Sequence, residues 1–416
     1  MKWFQVADYQ EIYIKIKRNM KDYFIFKNIC KCIYYVGPGN FWYKPGEVRE
    51  DNTKGYKAFS TVLFSVYSIV TILEFMAAIF GDFPADEQSD SVTFAVSHTI
   101  VMIKIFSVIR NKQVLKNLCR DMIRVCEPYE DPSKMSEKYR IVKINVIAYM
   151  ISVYGSVLFY VFEGIRKLYA GRNFVTVVTY YPVSEDYSAL ANCFRVATTI
   201  VLCMMMLTML LTVDSFTMIN LIILKYKLIT LRDYFYNLRE KFEVINKADP
   251  RLAADDLANG LIEGVKMHRE LLRLSKEILN VFETVITCQV CQSVGAAVSL
   301  LLQIALSNDL TFSASMKIIF FVIALFFLLA LYLCNAGEIT YQASLLSDAI
   351  FHCGWHIVPN PARHRRIGRV VLQAVALAQR PLVMKAYNIL DLTYGTFIQV
   401  VRGTYSVFAL IYARNK

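Results

Sequence analysis

QRPLVMKAYNILDLTYGTFIQVVRGTYSVFALIY, residues 379–412, contains a run, 389–411, long enough to cross a bilayer. A helix rises about 1.5 Å per residue, against a hydrocarbon core of roughly 30 Å. At helical spacing Thr396, Gln399, Gly403 and Ser406 fall on one face with Arg402 on its flank, while Phe397, Val400, Thr404, Phe408 and Ile411 fall on the other. A helix surrounded by lipid gains nothing from the small, polar face. That face must meet either another helix at close range or water, and the span alone leaves both readings open.

Working outward, the whole chain is apolar. Of its 416 residues 56% are hydrophobic and 19% charged, and its mean hydropathy is +0.39, more than a soluble core requires. These values indicate an all-α, polytopic membrane protein. The net charge of +12 does not indicate a nucleic-acid partner, because the bases lie between apolar spans rather than on a water-exposed basic and aromatic face. Ten cysteines suggest no disulfide framework: Cys30, Cys32, Cys119, Cys126 and Cys353 fall in segments read as cytosolic, and most of the others fall in spans. Cys288 and Cys291 form a CxxC inside an apolar helix, where they read as small buried hydrophobes. His352 and His356 stand at ligand spacing, but no third ligand is evident, so neither metal nor cofactor is expected.

The order of segments follows from apolar runs and charge. Residues 1–57 alternate Ile, Tyr and Phe with Lys and Arg and read as a cytosolic, basic interfacial segment without a signal-peptide run. Residues 58–224 hold four spans: 58–80 with Glu74 inside it, 91–109, 141–162, and a long fourth from about 188. Between the first two, loop 81–90 offers Asp82, Asp86, Glu87 and Asp90 to solvent, and Lys104 of the second is expected to snorkel toward its Arg110 end. Residues 225–280 repeat charged and apolar positions every three to four residues, as two cytosolic amphipathic helices broken near Pro250. Spans five and six occupy 281–336, a second cytosolic amphipathic segment 337–388, and the seventh span 389–412. Of the 46 Lys and Arg residues, 36 lie in the N-terminal segment and the three long connectors, against five on the opposite side. This bias predicts a cytosolic N-terminus and an extracellular C-terminus.

Seven spans raise the G-protein-coupled receptors, but those have the opposite orientation, an acid-arginine-aromatic triplet at the inner end of span three, and NPxxY in span seven. None of these is present. A transporter is expected to show inverted repeats and interrupted helices, and neither is evident. An enzyme needs convergent acid-base or metal groups inside the membrane, and none is evident.

The C-terminal sixty residues resemble the signature of the insect odorant receptor family. The ordered matches are Trp355, Pro359, Arg365 and Arg366, then Gln379-Arg380-Pro381-Leu382-Val383, Leu392, Thr396-Phe397, Val400-Val401, and Thr404-Tyr405-Ser406 with Phe408 and Leu410. Gly395 stands where the family often has an acid, and Val407 where it often has Tyr. The pattern is similar to that of odorant-binding members rather than the shared co-receptor, whose extended cytosolic insertion is absent.

The resemblance implies an odorant-gated, non-selective cation channel of the plasma membrane, in dendrites of olfactory neurons. It implies a tetramer with the co-receptor, the cytosolic helices forming an intersubunit anchor and the seventh helices lining a central pore. That resolves the polar stripe toward water, with Thr396, Gln399, Arg402, Gly403, Ser406, Ala409, Leu410 and Ala413 along the pore and a gate near Ser406, Ala409 and Ala413. These side chains are small for a gate, which suggests that co-receptor subunits supply most of the constriction. Arg402 would cost roughly 2.5–3.5 kcal/mol at mid-membrane unless it meets water or an acid, and pairing across a subunit boundary is favoured. The resemblance also implies a pocket in the outer half of spans two, three, four and six. Candidates there are Phe94, Ser97 and His98; Ser152, Gly155 and Phe159; Ala197, Val201 and Met205; and Phe320, Ala324 and Phe327. Such a lining suits a volatile, largely apolar ligand held by burial and one hydrogen bond from Ser152 or His98.

Overall fold

The computed structural model describes residues 22–81, 83, 85–171, 173–183, 185–306 and 312–414. Residues 1–21 and the loop acids Asp82, Asp86 and Glu87 therefore lie outside what is described, the last two as side chains. Helix α1 (22–35) is followed by α2 (Lys54–Phe80), α3 (Ala85–Arg110), α4 (Lys112–Arg124) and α5 (Pro132–Tyr169). Next come α6 (Ala189–Met209), a π-helical turn (Leu210–Ser215), α7 (Phe216–Asn246), α8 (Pro250–Leu306) and α9 (Phe312–Ser344). Short α10 (Leu346–Phe351), α11 (Pro361–Ala378), a two-residue hairpin and α12 (Tyr394–Arg414) complete the chain.

Helix starts follow local chemistry. Thr53, Asp131, Ser188 and Asn360 each accept a backbone N–H from the first turn of α2, α5, α6 and α11, and Pro132 and Pro361 open their helices where no N–H is needed. The break near Pro250 falls where the sequence predicts it, between Asn246 and Pro250.

Among the described residues, six helical stretches are long and apolar enough to cross a membrane: Lys54–Phe80, Asp90–Arg110, Pro132–Tyr169, Ala189–Asn246, Pro250–Ala305 and Ser315–Ile357. The protein is thus a multi-pass helical membrane protein. Helix α12, with 21 residues, has the length, but its polar stripe keeps it out of that group. The expected boundaries at 224/225 and 280/281 fall inside unbroken helix. At about 1.5 Å per residue, the 57 residues of α8 span roughly 85 Å, so one rigid element joins an apolar half to an amphipathic half.

Two expectations are corrected. The described part of the N-terminal segment does not lie loosely at an interface: Phe26, Ile33, Phe41 and Trp42 are at most 1% exposed, and the rings of Phe26 and Phe41 meet Phe216 edge-on. Burying those rings outweighs what the flanking Lys and Arg gain in solvent. Asp22 enters a buried cluster with Lys138 at 2.7 Å and Lys227 at 3.4 Å, and Glu130 joins at 2.8 Å from Lys227. Burial raises the Asp22 carboxyl, but the Lys138 and Lys227 charges outweigh it and hold it below its ordinary value. Second, the last helix does not begin at 389. Lys385–Ala386 pairs antiparallel with Leu390–Asp391 around Tyr387 and Asn388, both at positive φ (51° and 58°), and α12 starts only at Tyr394. Two consecutive left-handed residues make a tight primed turn, and Asn tolerates that conformation better than most residues.

Candidate functional site

An enclosed cavity lies among α3, α5, α6, α8 and α9. Phe94, Ser97, His98 and Val101 line it from α3, and Tyr149, Val153, Ser156, Val157 and Tyr160 from α5. Leu202, Met206 and Met209 come from α6, Gln289 and Gln292 from α8, and Phe321, Ala324, Leu325 and Leu328 from α9. Phe94 is the hub of its aromatic end, stacked on His98 at 5.4 Å and edge-on to Tyr160 at 5.0 Å, with Phe321 at 6.2 Å. Its free volume is about 60 Å³, room for a few waters. A wider groove of about 880 Å³ runs between α2 and α3 past Ile72, Phe75, Ile103 and Phe106. That groove is open and apolar on a face built for lipid, whereas the enclosed cavity has convergent polar groups and is the better candidate.

Buried polar pairs ring the cavity. His98 Nδ1 lies 2.6 Å from Glu74 Oε2 of α2. Tyr149 and Tyr332 donate to the two oxygens of Asp214 in the π-helical turn, at 2.7 and 2.8 Å. Lys104 donates to Gln289 Oε1 at 2.5 Å and Gln292 Oε1 at 3.0 Å, and Lys317 pairs with Asp90 while its Nζ sits 5.1 Å from the Tyr160 ring centroid. Two sequence expectations are overturned here. Lys104 is fully buried and does not snorkel, and Asp90 is a buried partner of Lys317 rather than a solvated loop acid. In each case the neighbouring helix offers an oxygen or a charge at bonding distance, which replaces the water that a lone charge would need.

Of the sequence candidates, Phe94, Ser97, His98 and Ala324 line the cavity. Ser152, Gly155, Phe159, Ala197, Val201, Met205, Phe320 and Phe327 are not among its lining residues. Ser152 turns its hydroxyl to the Ala148 carbonyl of its own helix, and Phe159 stacks on Phe320 at 4.6 Å, beside the cavity rather than in it. The lining uses the next helical positions, Val153, Ser156 and Tyr160, then Leu202 and Met206, then Phe321 and Leu328. One position is a rotation of about 100°, and in a helix apolar all round hydrophobicity does not mark the inward face. A usable signal was present: on α5 the polar and aromatic residues Tyr149, Ser156 and Tyr160 share one face, while Ile151, Leu158 and Phe162 are more than 60% exposed on another.

Helix α12 packs along α8 and α9 and shows the two faces expected of it. Thr404 is buried, and Phe397, Val400, Phe408 and Ile411 are half-buried against the bundle. Gln399, Arg402, Gly403, Ser406, Leu410 and Ala413 are exposed, with Thr396 and Ala409 half-buried. Arg402 makes no ion pair among the described residues. At its start, α12 grips α9: Tyr394 donates to Glu338 at 2.6 Å, and its ring lies so near Gly337 that a Cβ there would meet it at 3.0 Å. Elsewhere, His352 lies 3.2 Å from Asp348 and His356 stands edge-on to Trp355. No cluster of three potential metal ligands occurs among the described residues.

A profile of the 7tm odorant receptor family matches residues 85–405. The chain is 26% identical to Odorant receptor 43b of Drosophila melanogaster over 210 residues, which is 49% of this chain and 47% of that one. It is 38% identical to Odorant receptor 2a of the same fly over 80 residues, 19% of each chain, and 31% identical to Odorant receptor Or2 of Anopheles gambiae over 77 residues, 18% of this chain and 19% of that one. These matches thus span about half or less of the relatives' lengths. The fold is similar to that of the insect olfactory receptor OR5 from Machilis hrabei, with a TM-score of 0.76 at 15% identity, covering 94% of this chain and 99% of that one. The same receptor in complex with eugenol gives 0.73 at 14% identity, covering 96% and 100%. With the family profile covering most of its length and an olfactory-receptor fold around an enclosed cavity, this chain belongs to the 7tm odorant receptor family.

Proposed function

We propose that this chain is the odorant-binding subunit of a ligand-gated, non-selective cation channel in the plasma membrane of olfactory neurons, working in a tetramer with the odorant receptor co-receptor. The observation that carries this reading is the orientation of α12. Its polar face, with Gln399, Arg402, Gly403 and Ser406, points away from its own bundle. A membrane helix with that outward face needs water or a partner helix, and a central pore supplies both. In this reading α12 is the seventh span, the N-terminus is cytosolic, and the C-terminus is extracellular, as the Lys and Arg bias favours. The lower part of α7 and α8, with α10 and α11, forms the cytosolic anchor between subunits.

A volatile ligand occupies the enclosed cavity. The fold relative solved with eugenol supports a small-molecule ligand of that kind. Since the free volume is about 60 Å³, binding must push the lining helices apart. Helix α9 contributes Phe321, Ala324, Leu325 and Leu328 to the cavity and Gly337 and Glu338 to the grip on α12. Displacing α9 therefore moves the start of the pore helix, which gives the ligand different affinities for the closed and open arrangements. Ser406, Ala409, Leu410 and Ala413 form the neighbourhood of the gate, and because they are small the co-receptor supplies much of the constriction. Arg402 pairs with an acid across a subunit boundary.

The test is whole-cell current from cells expressing this chain with and without the co-receptor, screened against a panel of volatiles. A fast cation current that requires both chains is expected, and Ser406→Trp and Ala409→Trp should change ion permeability. Unchanged permeability in both variants would remove α12 from the pore, and a response without any cation current would leave a receptor or transporter instead.

A further inference from the structure

The Glu74–His98 pair sits at the wall of the enclosed cavity and is more than a structural tie. Both residues are at most 1% exposed, His98 stacks on Phe94, and His98 and Phe94 line the cavity whereas Glu74 is not among its lining residues. With Glu74 Oε2 as the acceptor, His98 Nδ1 is the donor across the 2.6 Å contact. A neutral imidazole bonded in this way presents Nε2 as a lone-pair acceptor. The hydrogen bond that His98 makes among the described residues is the one through Nδ1, and Glu74 Oε1 is buried without a partner. Among the other polar groups of the lining, Gln289 and Gln292 hold Lys104 and Tyr149 donates to Asp214, while Ser97, Ser156 and Tyr160 bring hydroxyls to the same wall.

Resting on the odorant-cavity reading above, we infer that His98, positioned by Glu74, accepts a hydrogen bond from the ligand, so that the cavity selects small volatiles bearing a hydroxyl, alcohols and phenols, over ethers and ketones of the same size. A hydroxyl donor completes Nε2, while an ether or ketone leaves a buried acceptor facing another acceptor. Carboxylate ligands are disfavoured as well. Near the cavity the acids Glu74, Asp90 and Asp214 outnumber the bases Lys104 and Lys317.

The test uses the full chain expressed with the co-receptor and isomeric probes of equal heavy-atom count. The pairs are 1-heptanol against methyl hexyl ether and 4-ethylphenol against 4-methylanisole, with 2-heptanone as the ketone arm. In the wild type the hydroxyl compounds should have an EC50 about tenfold lower than their isomers. His98→Phe keeps the ring stacked on Phe94 but removes the acceptor, so the alcohol-to-ether EC50 ratio should fall to about one. Glu74→Gln lets the amide donate to Nδ1 and places a proton on Nε2, so 2-heptanone should gain on 1-heptanol. This reversal is one that a merely structural tie would not produce, and it decides the matter if His98→Phe fails to reach the surface. An unchanged alcohol-to-ether ratio in His98→Phe, an unchanged ketone-to-alcohol ratio in Glu74→Gln, or a broad panel of wild-type agonists containing no hydroxyl compound would overturn the inference. Absence of co-receptor-dependent current to every volatile would instead overturn the channel reading beneath it.

Discussion

Gly155 and Ser156 are adjacent in the chain, yet the structure assigns them different surroundings. Ser156 lines the cavity and is 3% exposed, whereas a Cβ on Gly155 would meet only the edge of the Phe320 ring at 4.0 Å. Ser156→Trp should therefore abolish agonist current with surface expression intact, and Gly155→Trp should do less; the reverse order of the two dose-response curves would move the ligand to the neighbouring face. His268, in the amphipathic half of α8, makes a second prediction at this scale. Burial lowers its imidazole from the ordinary 6.5 to about 4, so the folded chain holds it neutral. A base with a depressed folded value stabilises fully above the unfolded value, and that stability is lost as pH falls from about 6.5 toward 4. At ~1.4 kcal/mol per pH unit this is worth up to roughly 3 kcal/mol. Thermal melts in detergent from pH 7 to 4.5 should show a drop in stability that His268→Phe reduces.

Among the described elements, α7 and α8 share the most extensive contact, and at two glycines they approach closely. A Cβ on Gly260 would stand 2.4 Å from Leu238 Cδ1, and one on Gly264 2.4 Å from Phe235 Cζ. Gly264→Ala should cost about 1–3 kcal/mol through overpacking, read as a lower melting temperature of the chain in detergent. At the other end of the same unit, the Tyr394–Glu338 bond ties α12 to α9. Tyr394→Phe removes a bond to a carboxylate, worth ~1.5–3 kcal/mol in either the closed or the open arrangement, and should shift the agonist EC50 by roughly tenfold or more. An EC50 within twofold of wild type would detach gating from this contact. The two-faced character of α12 was legible in the sequence because Gln, Arg, Gly and Ser recur at helical spacing among apolar residues. Its start at Tyr394 was not, because Ile389, Leu390 and Leu392 prolong the apolar run while the backbone turns at Tyr387 and Asn388.

Across the whole molecule, long unbroken helices link the cavity to the amphipathic base. The buried Asp22, Glu130, Lys138 and Lys227 cluster holds the N-terminal helix to α5 and α7 within that base. Lys227→Met leaves two buried acids with one base between them, so it should destabilise the fold by about 3–5 kcal/mol and reduce surface expression. If surface expression and melting temperature matched the wild type, this cluster would not secure the base. On the proposed tetramer reading, Arg402 would find its partner across a subunit boundary, since its exposed charge has no ion-pair partner among the described residues. Arg402→Glu should therefore disturb co-expressed current more than surface delivery of the chain.

Composition and periodicity were enough to establish the helical membrane class, the apolar spans, the break at Pro250 and the division of α12 into two faces. Each of these depends on the order of apolar and polar residues along one helix, which a single chain displays directly. The rotational phase of α5, α6 and α9 about the cavity was settled by packing, because helices flanked by both lipid and neighbours are apolar on every side. The same holds for Lys104, Asp90 and the Glu74–His98 pair. A buried charge is decided by the oxygen or nitrogen that a distant segment brings within bonding distance, and no pattern local to α2, α3, α8 or α9 records that meeting.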